Sequence, residues 1–184
     1  MNFHKSQLIW GKDLVEEYPL VFLEADMYNV PWAKQAGVAE GDYCNLRYGF
    51  ECNEGWRKHI ETIAKKATEI VEYLRASGLP PEKAYIHSSI VKEKLGGLRW
   101  QGEEALPPLF GDLWRCYYGR EESQSYGTCE ITGGYGRLRE TKSGERAWVK
   151  TLCTEKAVEF GYDLEDWEQE MLSKKNASAE IQKT

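Results

Sequence analysis

The chain has 184 residues, 41% of them hydrophobic and 29% charged, with a formal net charge of −6. That is the make-up of a globular protein of one domain with appendages, long enough to bury roughly 70% of its unfolded surface without help from a disulfide or a metal. The negative balance argues against generic nucleic-acid binding through a basic face, and no apolar run approaches the about 18 residues of a membrane span.

Residues 1–47 read as an irregular leader, with a short helical turn at Leu14-Val15-Glu16-Glu17-Tyr18 closed by Pro19, and a turn-prone Tyr28-Asn29-Val30-Pro31-Trp32. The leader is expected to lie across the core, held by its rings. Residues 48–172 read as a single α+β domain. From Trp56, apolar residues recur at Ile60, Ile63, Ala64, Ala67, Ile70, Val71 and Leu74, steps of three and four that make one helical stripe. Asn53 is the expected cap, Gly78 and Pro80-Pro81 the expected stop, and Glu61–Lys65 a favourable pair on the solvated side.

Residues 84–101 read as a β-branched strand, a turn at the glycine pair Gly96-Gly97, and a return strand through Leu98-Arg99-Trp100. A second helix is expected from Leu106, since Pro107 and Pro108 suit only a first turn; Leu109, Phe110, Leu113, Trp114 and Tyr117 would form its buried side, with Gly119 interrupting it. A second hairpin is expected over Tyr135–Arg139 and Arg146–Leu152, around the polar connection 140–145. A short helix capped by Thr154 and stopped by Gly161, a last one capped by Asp163, and a flexible tail over 173–184 complete the order. The whole predicts small antiparallel hairpins packed against two principal helices, with an irregular leader and short C-terminal helices.

The residues most suited to chemistry surround the first glycine pair. Lys92 and Lys94 alternate to one face of the strand and Glu93 to the other. Gly96 and Gly97 admit a close backbone approach and can aim amides at an anion, Arg99 can hold a phosphate through two bonds, and Trp100 can stack on a base. The other reading is an ordinary exposed hairpin with solvated lysines. Arg137 and Arg139, beside Lys142, form a second basic group that makes one pocket with the first if the hairpins adjoin.

Seven Trp and eleven Tyr suit either an aromatic-rich core or a stacking or contact surface. Five cysteines (Cys44, Cys52, Cys116, Cys129, Cys153) form no dense framework and fit reduced thiols in a cytoplasm. Cys129 and Cys153 bracket a segment like a zinc ribbon, but the partner positions, with two residues between, hold Thr132 and Lys156, and two thiolates do not make a structural zinc site. No metal or other cofactor is expected. His87, in the strand leading to the basic turn and beside Ser88-Ser89, is the candidate general base. No Walker loop, HExxH or nucleophile elbow is present, so the chain reads as a binder rather than an enzyme.

Gly49-Phe50-Glu51-Cys52-Asn53-Glu54-Gly55-Trp56, then Val91-Lys92-Glu93-Lys94-Leu95-Gly96-Gly97-Leu98-Arg99-Trp100, Thr128-Cys129-Glu130 and Trp148-Val149-Lys150-Thr151-Leu152-Cys153 follow in that order. The series resembles a family of small uncharacterised proteins encoded by bacteriophages and prophages, over about residues 48–158. Members commonly carry a paired-cysteine ribbon in the last unit, from which this chain departs at Thr132 and Lys156. The resemblance implies a setting in the host cytoplasm, where small accessory phage proteins often block host immunity, and the cationic glycine turn fits such a counter-defence role. One such role is enclosing a cyclic oligonucleotide or cyclic ADP-ribose-like alarm signal, as a homo-oligomer, without cleaving it. A protein that inhibits a host defence enzyme by contact is the second reading, and a nucleic-acid module derived from a zinc ribbon the third.

Overall fold

A computed structural model describes residues 10–22, 50–141 and 148–181. They form a mixed α+β fold with two antiparallel sheets of two strands each. Helix α1 (Lys12–Glu17) comes first, and a 3-10 turn at Glu54–Trp56 runs directly into helix α2 (Arg57–Ala76). Strands β1 (Tyr85–Lys94) and β2 (Gly97–Ala105) make the first hairpin, followed by helix α3 (Pro108–Ser125). Strands β3 (Arg137–Glu140) and β4 (Val149–Leu152) make the second, followed by helices α4 (Thr154–Phe160) and α5 (Asp166–Ile181). Among the described residues, no helix is long and apolar enough to cross a membrane.

The apolar stripe from Trp56 to Leu74 is buried along its whole length. Each fully buried aliphatic side chain on it contributes about 1.5–3 kcal/mol. The start of α2 differs from expectation: Asn53 accepts the Trp56 N–H through its backbone, but its side-chain amide donates to the Glu130 carboxylate instead of capping. A buried charge has the stronger claim on that amide than a helix end open to water. On the solvated side Lys66 pairs with Glu69, at 2.7 Å.

In the first hairpin the turn is Leu95-Gly96 rather than Gly96-Gly97. Both residues have positive φ, 54° and 75°, the signature of a type I′ turn that matches strand twist, and Gly97 opens β2. Lys92 lies opposite Arg99 and Val91 opposite Trp100, with a bulge between Ser88 and Ile90. The extra residue resets the side-chain alternation, so that Ile86, Ser88 and then Val91 are all buried. Both sheet edges are covered. Val21 O and Glu51 bond the outer edge of β1, while Ser125 Oγ and Glu122 Oε1 accept the Leu98 and Trp100 N–H groups of β2.

Helix α3 begins where the prolines indicated but runs through Gly119 to Ser125. Leu109 and Leu113 are 75% and 42% exposed, against the expected stripe. Trp114 sets the rotation: its ring meets Trp100 edge-on, which turns Phe110, Gly111, Tyr117 and Tyr118 inward and swings the two leucines out.

Of residues 1–47, Trp10, Tyr18 and Phe22 pack with the main core. Trp10, Phe50, Phe22, Trp100, Trp114 and Tyr118 form a chain with successive centroids 5.1 to 6.2 Å apart. Such pairs contribute about 0.5–1.5 kcal/mol each beyond area burial. The aromatic segment at 28–32 and the connection at 142–147 lie outside the described residues.

A smaller core of Cys129, Leu152, Ala157 and Tyr162 joins the second hairpin to α4. Cys153, not Thr154, caps α4, and α5 starts at Asp166 and continues to Ile181, beyond the expected tail boundary at Ser173. Good helix formers and a Glu170–Lys174 pair sustain that helix without an apolar stripe.

Candidate functional site

The first hairpin carries the cationic face that its alternation implied. Arg99 stands opposite Lys92, Lys94 is opposite Gly97, and all project to the side away from Val91 and Trp100. Glu93 turns the other way and its carboxylate accepts the Gly96 N–H at 2.7 Å. The Arg99 guanidinium donates to Leu98 O at 2.8 Å and to the Tyr126 hydroxyl at 2.6 Å, and lies 5.6 Å from the Tyr126 ring centroid. Tyr126 is thus the aromatic ring beside these cations. Sequence reasoning passed over it because it arrives from the end of α3. Gly97 makes the contact possible, since a Cβ there would collide with the Tyr126 ring.

Trp100 has a different place. It is 8% exposed, between Phe22 and Trp114, so its faces belong to the core. The bare backbone at Gly96 is also occupied: Leu138 fills the space beside its Cα, and its carbonyl accepts the Thr151 hydroxyl at 2.6 Å.

These contacts show that the two hairpins adjoin. They do so through Leu138 and Thr151, which are cross-strand partners, and alternation places Arg137 and Arg139 on the opposite face of the second hairpin. Arg139 is 5% exposed. It grips both carboxylate oxygens of Glu168, at 2.7 and 2.6 Å, and donates to Leu152 O and Asp163 O. Arg139 holds the Glu168 carboxyl down to about 2. Arg137 lies 5.0 Å over the Trp167 ring and donates to the Tyr135 hydroxyl. Arg137 and Arg139 therefore stabilise the C-terminal helices and do not join Lys92, Lys94 and Arg99 in one pocket.

A second buried carboxylate behaves oppositely. Glu130 has no exposed surface; one oxygen takes bonds from Lys150 and Asn53, and the other has no partner among the described residues. Burial pushes its pKa up despite Lys150.

His87 stacks on Tyr85 with centroids 4.5 Å apart. Burial, and secondly the Arg75 charge, lower it to about 4, so it is neutral at pH 7. His59, not singled out from sequence, makes the more organised constellation. Its Nδ1 is 2.8 Å from Glu121 and its Nε2 2.9 Å from the Thr128 hydroxyl. The Trp56 indole N–H donates to Thr128 O at 2.7 Å. Carboxylate, imidazole and hydroxyl stand in relay order, yet every link runs between α2, α3 and the turn after α3, which makes it a clasp between elements. No spacing in the sequence signals it, because the three residues meet only through the packing of two helices.

In the C-terminal unit Cys129 and Cys153 come together, with Thr132 and Lys156 beside them. Among the described residues there is no cluster of three or more His, Cys, Asp or Glu that could hold a metal. Comparison with protein-family models, with curated proteins and with solved structures finds no match to this chain.

Proposed function

We propose that this protein works by binding and not by chemistry, holding a small anionic, nucleotide-type ligand on the face formed by Lys92, Lys94 and Arg99. The observation that carries the reading is the register, which sets Lys92 directly opposite Arg99. Like charges opposed across a sheet destabilise it, and Glu51, the parallel-bridge partner of Lys92 on its other side, sets one carboxylate beside the pair. A polyanion laid across the pair reverses the sign of that term, and the Tyr126 ring beneath Arg99 offers an aromatic edge. In the setting that the phage resemblance implies, the ligand is a cyclic oligonucleotide or cyclic ADP-ribose-like immune signal. The protein is then a cytoplasmic sponge, and two protomers facing each other would enclose the ligand. Mass spectrometry of the protein after incubation with a nucleotide panel, with heat release of what is bound, tests this. An intact nucleotide is expected; a degraded one, or none, counts against it.

A second reading, inhibition of a host enzyme by contact, is favoured by the hairpin tip. Leu95 is 66% exposed in a left-handed conformation, with Leu138 (52%) nearby and Trp148 (67%) on the same hairpin. A protruding leucine that the backbone disfavours suits an anchor in a partner's pocket. Under this reading, Leu95→Asn abolishes activity and Lys92→Glu preserves it.

A further inference from the structure

The C-terminal unit contains a second chemical feature, independent of the cationic face. Cys129 opens a tight turn in which its N–H donates to Gly134 O at 2.8 Å and its carbonyl accepts from Gly133 at 2.9 Å. Cys153 is the cap of α4, its carbonyl accepting the Ala157 N–H at 2.9 Å. The strands β3 and β4 lie between them in sequence, and the Glu130 N–H, donating to Thr151 O at 2.9 Å, ties the two segments together so that both cysteines pack in one small core. Around Cys129 converge the backbone N–H groups of Ile131, Thr132 and Cys153 and the Thr132 hydroxyl, which also lies 4.0 Å from Cys153 Sγ. Cys129 is fully buried, whereas Cys153 is half-buried and reachable from solvent.

Donors directed at a buried sulfur favour its thiolate, and a neutral thiol beside it completes a pair with divided protonation. The two cysteines shift in opposite directions as this requires. The Cys129 pKa is lowered by the Thr132 hydroxyl and the backbone amides against the opposing effect of burial, while burial raises Cys153. The Lys156 ammonium, paired with Glu159 at 2.6 Å, adds positive charge beside both sulfurs. Among the described residues the other two cysteines lack such surroundings: Cys52 is sealed in the core with its pKa raised by burial, and Cys116 stands exposed on α3.

We propose that Cys129 and Cys153 form a reversible disulfide by exchange with a small-molecule disulfide such as oxidised glutathione. The exposed partner, Cys153, passes its proton to the neighbouring Cys129 thiolate and attacks one sulfur of the incoming disulfide. One glutathione thiolate leaves, and a mixed disulfide forms on Cys153. Cys129 then attacks Cys153 Sγ and expels the second glutathione thiolate. The first departing glutathione thiolate takes that proton from Cys129 before Cys129 attacks, the second is protonated by solvent, and the two electrons pass from the protein thiol–thiolate pair to the small disulfide. The bond ties the turn at Cys129 to the start of α4, across the hairpin whose other face supports Gly96.

The test is to equilibrate the full chain with glutathione buffers of increasing oxidised fraction, quench in acid, alkylate, and map peptides by mass spectrometry. The expected result is a species lighter by two hydrogens, a linked Cys129–Cys153 peptide, Cys116 alkylated throughout, and full reversal by dithiothreitol. The Cys129→Ser variant is expected to stop at a stable glutathione adduct on Cys153. Alkylation of both cysteines in the most oxidising buffer, or a persistent glutathione adduct on Cys153 in the native chain, overturns the proposal. Because the native chain alone gives a decisive result, a variant that fails to fold does not remove the test.

Discussion

At the residue scale, Leu95 is the clearest departure from local preference. Its φ of 54° is a conformation that costs an L-residue about 1–2 kcal/mol and that asparagine tolerates. Leu95→Asn is therefore expected to raise stability by about 1 kcal/mol in urea unfolding, and a loss would mean that the exposed side chain packs more than its surface suggests. The two buried carboxylates give a paired prediction. Arg139→Ala leaves Glu168 charged, buried and unpaired and is expected to destabilise by about 3–5 kcal/mol. Glu130→Gln removes a charge whose burial is incompletely compensated and is expected to cost little or nothing at pH 7. Residue types in the sequence could not separate such roles. Arg99 and Arg139 both sit beside glycines on basic strands, yet one lies on Tyr126 at the surface and the other inside a carboxylate clamp, because Glu168 is supplied by a helix nearly thirty residues later.

At the scale of elements, periodicity was a good guide where one face alone is buried. The stripe on α2 and the alternation of Lys92 and Lys94 in β1 follow the geometry of helix and strand. Periodicity failed where a single large contact decides: Trp114 fixes the rotation of α3 and leaves Leu109 and Leu113 outside. Tyr126 and the His59 clasp were illegible for the same reason, since each depends on how one element meets another. The opposed cations of the first hairpin yield a test at this scale. Lys92→Thr is expected to raise stability by about 0.5 kcal/mol at low ionic strength and to do so less in high salt. A decrease would show that Lys92 is stabilised in the fold by a charge partner.

At the scale of the whole molecule, two groups with large shifts make stability fall in acid in separate windows. His87 has its folded pKa depressed from 6.5 to about 4. The unfolded chain therefore takes up that proton first, and stability declines as pH falls from 6.5 towards 4. Glu168 is depressed from 4.5 to about 2, so the stability it contributes is present above 4.5 and is lost as pH falls through 2. His87→Phe, which keeps a ring against Tyr85, is expected to flatten the upper window and leave the lower one. An unchanged profile between pH 6.5 and 4 would assign that decline to other groups.

The central claim is that opposed cations on one hairpin face hold a nucleotide-type anion without cleaving it. Isothermal titration of cyclic and linear nucleotides into the native protein and into Lys92→Glu, with recovery of the ligand, tests it most directly. Stoichiometric heat from at least one nucleotide is expected in the native protein, with the ligand returned intact and the heat lost in the variant. No heat from any nucleotide, equal heat from both proteins, or a cleaved ligand contradicts the claim.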